Sequence, residues 1–184
     1  MEPTGELVVV RLGHRPGRDD RMTTHVGLTG RALGADRFVL IGDHDAPLER
    51  IDDVTRRFGG PYETERRDTF GQFVRGWTGD LLHLTMYGIP IQKRVDEVRA
   101  ARDDLAIIVG AGKVSFDIYE AADWNVAVTN QPHSEVAGLA VLLDRLFEGR
   151  SVEREWANAS RRVIPQERGK RVESVEHRSG DEES

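Results

Sequence analysis

Two hydrophobic rhythms alternate along the chain. Residues 7–12 read LVVVRL, a β-branched run with almost no polar alternation, which predicts a strand buried on both faces. The spacing over 19–33 predicts a helix, with Asp19 and Asp20 at its start, where acids suit the macrodipole, and Gly34 past its end as a cap. RFVLIG over 37–42 predicts a second strand. Over 46–58, Leu48, Ile51, Val54 and Phe58 recur at helical spacing, and Gly59-Gly60-Pro61 stops that helix.

The alternation continues. Weaker signals place a short polar strand over 62–66 and a helix over 69–75. DLLHLTM over 80–86 predicts a strand, and a helix opens at Pro90 or Ile91 and runs to about Arg102. LAIIV over 105–109 predicts another buried strand, followed by Gly110-Ala111-Gly112. A short helix over 115–122, a strand over 125–129 and a strong helix over 134–147 complete the pattern. Val136, Leu139, Ala140, Leu143 and Phe147 form one apolar face of the last helix. Strands alternating with helices, several of them apolar throughout, predict an α/β fold with a parallel sheet covered on both faces. From Gly149 the composition shifts to a cluster of Arg161, Arg162, Arg168, Lys170 and Arg171. The expected organisation is one α/β domain over 1–148, an extension over 149–178 and a disordered acidic tail over 179–184.

Composition narrows the function classes. A chain of 184 residues suits one large domain with an appendage. No apolar run approaches the roughly 18 residues of a membrane span, and the first residues carry acids rather than an apolar signal, so a cytoplasmic location and no membrane partner are expected. The absence of cysteine excludes disulfides and thiolate metal sites. Only Lys93, Lys113 and Lys170 are lysines among the 26 basic residues, and the net charge is −6. Such an acidic, arginine-rich surface suits solution at high ionic strength or a GC-rich coding sequence. Grouped arginines can bind nucleic acid even on an acidic protein.

Ligands of open α/β sheets bind at the carboxyl ends of strands. Three such ends carry unusual residues: Leu84 to Gly88, Gly110 to Val114, and Thr129 to Glu135. One shared ligand explains all three. A phosphate loop fails at Ile107 and Val114, and a dinucleotide fingerprint fails at Ser115, so a nucleotide enzyme of Rossmann type is a weaker reading. The histidines have no metal-ligand spacing, His83 reads as a core histidine, and no metal is expected. No G-x-S-x-G occurs. Arg11, Arg15, Arg18, Arg21 and Arg31 are interleaved with Asp19, Asp20 and His25, and Arg18 and Arg21 stand one helical turn apart. They make either a solvated helix of Arg–Asp pairs or a phosphate-binding surface.

Taken together, these strings resemble a known family. Arg11-Leu12-Gly13-His14-Arg15, Arg18-Asp19-x-Arg21, Thr24-His25-Val26, His83 to Gly88, Gly110 to Val114 and Asn130-Gln131-Pro132-His133-Ser134-Glu135-Val136-Ala137 run in order over about 7–172. They are similar to the archaeal tRNA (cytidine-56) 2′-O-methyltransferases of the SPOUT superfamily. The resemblance implies a parallel sheet flanked by helices with a C-terminal deep trefoil knot, a homodimer, a tRNA substrate and S-adenosylmethionine as methyl donor. It implies a cofactor site of Leu84, Gly110, Ala111, Gly112, Lys113, Val114, Val128, Asn130, Gln131, Pro132, His133, Ser134 and Glu135. It implies tRNA phosphate contacts from Arg15, Arg18 and Arg21. The first motif of SpoU-type relatives maps onto His25 to Arg31, with His25 in place of the usual Asn. Arg31 would then stabilise the developing oxyanion, with His25 as the alternative base. The extension would pack on a partner subunit or on tRNA. A catalytically idle RNA-binding dimer on the same scaffold is the alternative reading.

Overall fold

The computed structural model describes residues 5–101 and 104–175. Six strands build one parallel sheet: β1 (Leu7–Leu12), β2 (Arg37–Ile41), β3 (Glu63–Arg67), β4 (Asp80–Pro90), β5 (Leu105–Gly110) and β6 (Trp124–Ala127). Their spatial order is β3-β2-β1-β5-β4-β6, which puts the apolar β1 and β5 at the centre and the polar β3 at an edge. Helices α1 (Asp20–Ala32), α2 (Ala46–Phe58), α3 (Phe70–Arg75), α4 (Val95–Ala100) and α5 (Phe116–Ala121) make the crossovers, and α6 (Glu135–Phe147) follows β6.

Strand alternation divides the core in two. Leu7 and Val9 of β1, Phe38 and Leu40 of β2, Leu82 of β4 and Ile107 of β5 point to one face, where α1, α2 and α6 bring Val26, Ile51, Leu139, Leu142 and Leu143. Val8 and Val10 with Val39, Ala106 and Ile108 point to the other, under Phe73 of α3 and Ile118 of α5. Each such fully buried aliphatic side chain is worth roughly 1.5–3 kcal/mol. At the leading edge of the sheet, side chains satisfy strand N–H groups. Asp36 Oδ2 accepts from Leu7 N at 2.9 Å, Asp104 Oδ1 from Glu6 N at 2.7 Å, and Asp123 Oδ2 from Leu81 N at 2.8 Å.

Most predicted elements are present, within a residue or two of their expected bounds. Strand β4 is longer than expected, reaching Pro90, because a register shift between Leu84 and Ile89 lets it bulge and pair with β6 again. The long helix expected after Pro90 is instead a 3₁₀ turn (Ile91–Lys93) and the short α4, separated at Arg94, whose φ of −128° departs from helical values. The expected helix end at Arg102 and the acidic tail at 179–184 lie outside the described residues. The extension is ordered over its described part. It forms a 3₁₀ turn (Arg150–Glu153) and an antiparallel hairpin of β7 (Arg161–Ile164) and β8 (Arg171–Ser174).

The extension docks on the end of α2. Gly60 and Ala157 exchange backbone hydrogen bonds of 2.9 and 3.2 Å, and Ser160 Oγ donates to Arg57 O at 3.3 Å. Gly59 makes this possible. Its φ is +92°, and a Cβ there would stand 2.6 Å from the Ala157 carbonyl oxygen.

Candidate active site

The carboxyl ends of β4 and β5 border a cleft of about 840 Å³, within the usual range for small-molecule sites. Eight of the thirteen expected cofactor residues line it: Leu84, Gly110, Gly112, Lys113, Val114, Pro132, His133 and Glu135. Leu84, Val109 and Val114 supply an apolar wall, while Lys113 and Glu135 supply opposite charges. Gly110 closes the turn after β5, where a Cβ would meet Val114 Cγ2 at 2.3 Å.

The remaining expected residues are not part of this lining. Ala111 lies in the same turn, its N–H donating to Leu12 O at 2.8 Å. Val128 packs on the core. Asn130 Nδ2 donates to Met86 O at 2.7 Å and to Gly88 O at 3.0 Å, tying the segment after β6 to the β4 bulge. The Gln131 carbonyl accepts from His133 Nδ1 at 2.8 Å, and the Ser134 carbonyl accepts from Gly138 N at 2.9 Å to start α6. The loop over 128–135 is therefore braced from both sides.

Sequence reasoning missed the aromatic part of the cleft. Phe116 and Tyr119 of α5 line it, with ring centroids 6.3 Å apart, and Tyr119 Oη lies 3.2 Å from Thr85 Oγ1. Their i, i+3 spacing on a six-residue helix was the only available signal. His83 is buried as a core histidine, as its place in an apolar strand predicted, but it also reaches the cleft. It meets Tyr119 edge-on at 4.6 Å and contacts Asn125 Oδ1 through Nδ1 at 3.0 Å. Burial pushes its pKa down against the opposing pull of that hydrogen bond.

Arg11, on β1, is the largest fully buried side chain. Its Nη1 donates to Gly110 O at 3.0 Å, and Nη2 stands 3.9 Å from Glu135 Oε1. Burial lowers its pKa, with Glu135 and Asp19 opposing the shift. The guanidinium thus joins the Gly110 turn to the start of α6 from below the cleft.

The arginine loop between β1 and α1 lies beside that turn. Arg15 forks onto Asp19, with Nε to Oδ2 at 2.7 Å and Nη2 to Oδ1 at 3.1 Å, and reaches Ala111 O at 3.5 Å. The Arg15 hydrogen bond holds the Asp19 carboxyl below its ordinary pKa. Arg18 and Arg21 are exposed, but Arg18 precedes α1, so the two share a loop-to-helix corner rather than a helical face. His25 is exposed on α1.

Within a single chain, Arg31 does not line the cleft. It lies in the last turn of α1, some 16 Å of helix beyond Asp20 at about 1.5 Å per residue and towards the leading edge of the sheet. Its side chain is buried. Nη2 donates to Gly59 O at 2.5 Å, and the guanidinium lies 4.1 Å from the centroid of the Trp156 ring. Burial lowers its pKa. Those contacts make Arg31 the peg on which the extension hangs.

Comparison with known proteins adds to the geometry. A family model described as tRNA ribose 2′-O-methyltransferase, aTrm56, matches residues 58–173. The tRNA (cytidine(56)-2′-O)-methyltransferase of Natronomonas pharaonis is 60% identical over 96% of this chain and 99% of its own. The protein of that name from Thermococcus kodakarensis is 49% identical over 92% and 98%. Among solved structures, a putative RNA methyltransferase from Bacillus anthracis aligns at TM-score 0.57 and 19% identity over 84% of this chain and 98% of that one. The SpoU methyltransferase AviRb from Streptomyces viridochromogenes, in complex with AdoMet, aligns at TM-score 0.54 and 14% identity. That match covers 80% of this chain and 59% of the other. These likenesses carry the fold.

Proposed function

The chain belongs to the tRNA ribose 2′-O-methyltransferase family, aTrm56, and on that premise we propose that it methylates O2′ of cytidine 56 in tRNA, taking the methyl group from S-adenosylmethionine. The observation that carries the reading is the coincidence of that membership with a cleft formed by the three strand-end segments. The residues present fit the donor. Leu84, Val109 and Val114 suit the faces of an adenine, and the backbone of the Gly110–Val114 turn, kept tight by the missing Cβ of Gly110, suits its edge. Glu135 and Lys113 suit a cationic centre and an amino-acid carboxylate.

Bound S-adenosylmethionine supplies an electrophilic methyl group on a sulfonium. Everything else falls to this chain. Leu84, Gly110, Gly112, Lys113, Val114, Pro132, His133 and Glu135 hold the donor, and Ala111, Val128, Asn130, Gln131 and Ser134 fix the loops around it. Arg11 keeps Gly110 and Glu135 in register, so the cleft is organised before binding. Arg15, Arg18 and Arg21 bind tRNA phosphates beside the Gly110 turn. Arg15 is already oriented by its fork to Asp19. Arg31, oriented by the Gly59 carbonyl and the Trp156 ring, is the proposed stabiliser of the developing oxyanion in the homodimer, with His25 the alternative acceptor of the ribose proton.

The proposed assembly is a homodimer with a C-terminal trefoil knot. Supporting the dimer, Met22 of α1 and Val141 of α6 are exposed on two helices that pack together. Supporting the knot, Asn130 draws the segment before α6 against the backbone of the β4 bulge.

The test is methyl transfer from labelled S-adenosylmethionine to an unmodified tRNA transcript in high potassium chloride, followed by nucleoside analysis. Labelled 2′-O-methylcytidine that disappears when cytidine 56 is replaced is the expected result. Label that persists after that replacement, or none at all with the donor bound, overturns the assignment.

A further inference from the structure

Outside the cleft, the fold gathers two histidines and an aspartate that are far apart in sequence. His14 follows β1, Asp20 opens α1, and His44 lies between β2 and α2. One ligand atom from each lies within 4.8 Å of the other two. His14 Nε2 stands 3.4 Å from Asp20 Oδ1, and His44 Nε2 stands 3.4 Å from Asp20 Oδ2. Ligand atoms about 2.0–2.1 Å from a tetrahedral zinc lie roughly 3.3 Å from one another, so small side-chain rotations from the present spacing bring the three into a coordination shell.

A second observation points into the same space. The His14 side chain is 1% exposed, yet its Nε2 makes no hydrogen bond. Its Nδ1 lies 2.8 Å from the hydroxyl of the fully buried Thr23. With Nδ1–H donating there, Nε2 presents a lone pair towards Asp20 and His44, the arrangement that orients metal-binding histidines. The His14 and His44 rings stack with centroids 5.4 Å apart and planes 15° apart, so the two loops are in contact at this point. Asp20 is itself positioned, its Oδ1 accepting from Gly17 N at 2.9 Å.

We propose that His14, Asp20 and His44 bind a divalent transition-metal ion of the zinc class, which clamps the arginine loop to the loop after β2. Two imidazoles and one carboxylate select such an ion over magnesium or calcium, which take oxygen ligands. Three protein ligands leave a position for water. The clamp spans the segment between His14 and Asp20 that carries Arg15 and Arg18. Its consequence is to fix those arginines independently of the donor cleft.

The test is titration of the tag-free full chain with cobalt(II), after dialysis against a chelator, following visible ligand-field absorption. One equivalent of cobalt should give the intense bands of low-coordinate cobalt, and one equivalent of zinc should abolish them. His44→Ala, in a half-exposed loop, should weaken binding at least about tenfold, and Thr23→Val about 10–100-fold by releasing the His14 ring. His25→Ala should retain the bands. Zinc should raise the thermal midpoint of the wild type and not of His44→Ala, with circular dichroism checking that the variant is folded. No bands at one equivalent, or equal affinity in wild type and His44→Ala, would overturn the site and leave a His–Asp–His electrostatic cluster.

Discussion

Replacing Arg31 by alanine leaves the Gly59 carbonyl without its charged donor and removes the cation from the Trp156 face. A charged hydrogen bond and a buried cation–π contact together make a loss of about 2–4 kcal/mol, read as a lower denaturant midpoint. Donor affinity should change little, because the cleft lies at the other end of the sheet. Arg11→Met is expected to do the reverse. It keeps a buried chain of similar length but frees Gly110 and Glu135, so S-adenosylmethionine affinity should fall at least about tenfold by calorimetry, with a smaller change in stability. His83 gives a pH signature. Its folded pKa is depressed by burial, whereas the unfolded imidazole protonates near about 6.5, so protons favour the unfolded chain. The stability it contributes is present above about pH 6.5 and is lost as pH falls towards the folded value. Urea midpoints compared at about pH 7.5 and about pH 5.5 should drop in the wild type and drop less in His83→Gln.

At the scale of elements, the docked extension is the vulnerable joint. Gly59→Ala places a Cβ against the Ala157 carbonyl on a backbone of positive φ. The expected result is undocking, seen as faster protease cleavage within 150–175, and a loss of about 1–3 kcal/mol. The hairpin itself was not legible in the sequence. Arg161 to Ile164 and Arg171 to Ser174 have almost no apolar alternation, in keeping with a hairpin whose residues are nearly all exposed. The six-stranded sheet was legible because β1, β2 and β5 are buried on both faces and so read as apolar runs. The cleft loops were legible as glycine- and amide-rich strand ends. The surroundings of Arg31 were not legible, because its motif spacing gives the helix but not the end of the sheet to which that helix leads. His14, Asp20 and His44 escaped notice because their proximity comes from the β1–β2 crossover, not from any spacing.

For the whole molecule, the charge distribution sets the terms of tRNA binding. A net −6 chain must recruit a polyanion through local arginines. Arg18→Ala is expected to weaken tRNA binding and to reduce the slope of log affinity against log salt by about 0.7–0.9, the value of one phosphate contact, in filter binding across a potassium chloride series. An unchanged slope would remove Arg18 from the interface. The order of the sheet carries a different consequence, for how the chain is made. β1 sits between β2 and β5, and Leu7 pairs with Leu105. A nascent chain therefore holds LVVVRL with one bare side until roughly a hundred more residues have left the ribosome, about 5–20 s at ordinary elongation speeds. During that interval a strand buried on both faces in the finished fold is an open template for any passing partner, and the burden of keeping it single falls on the cell's chaperones.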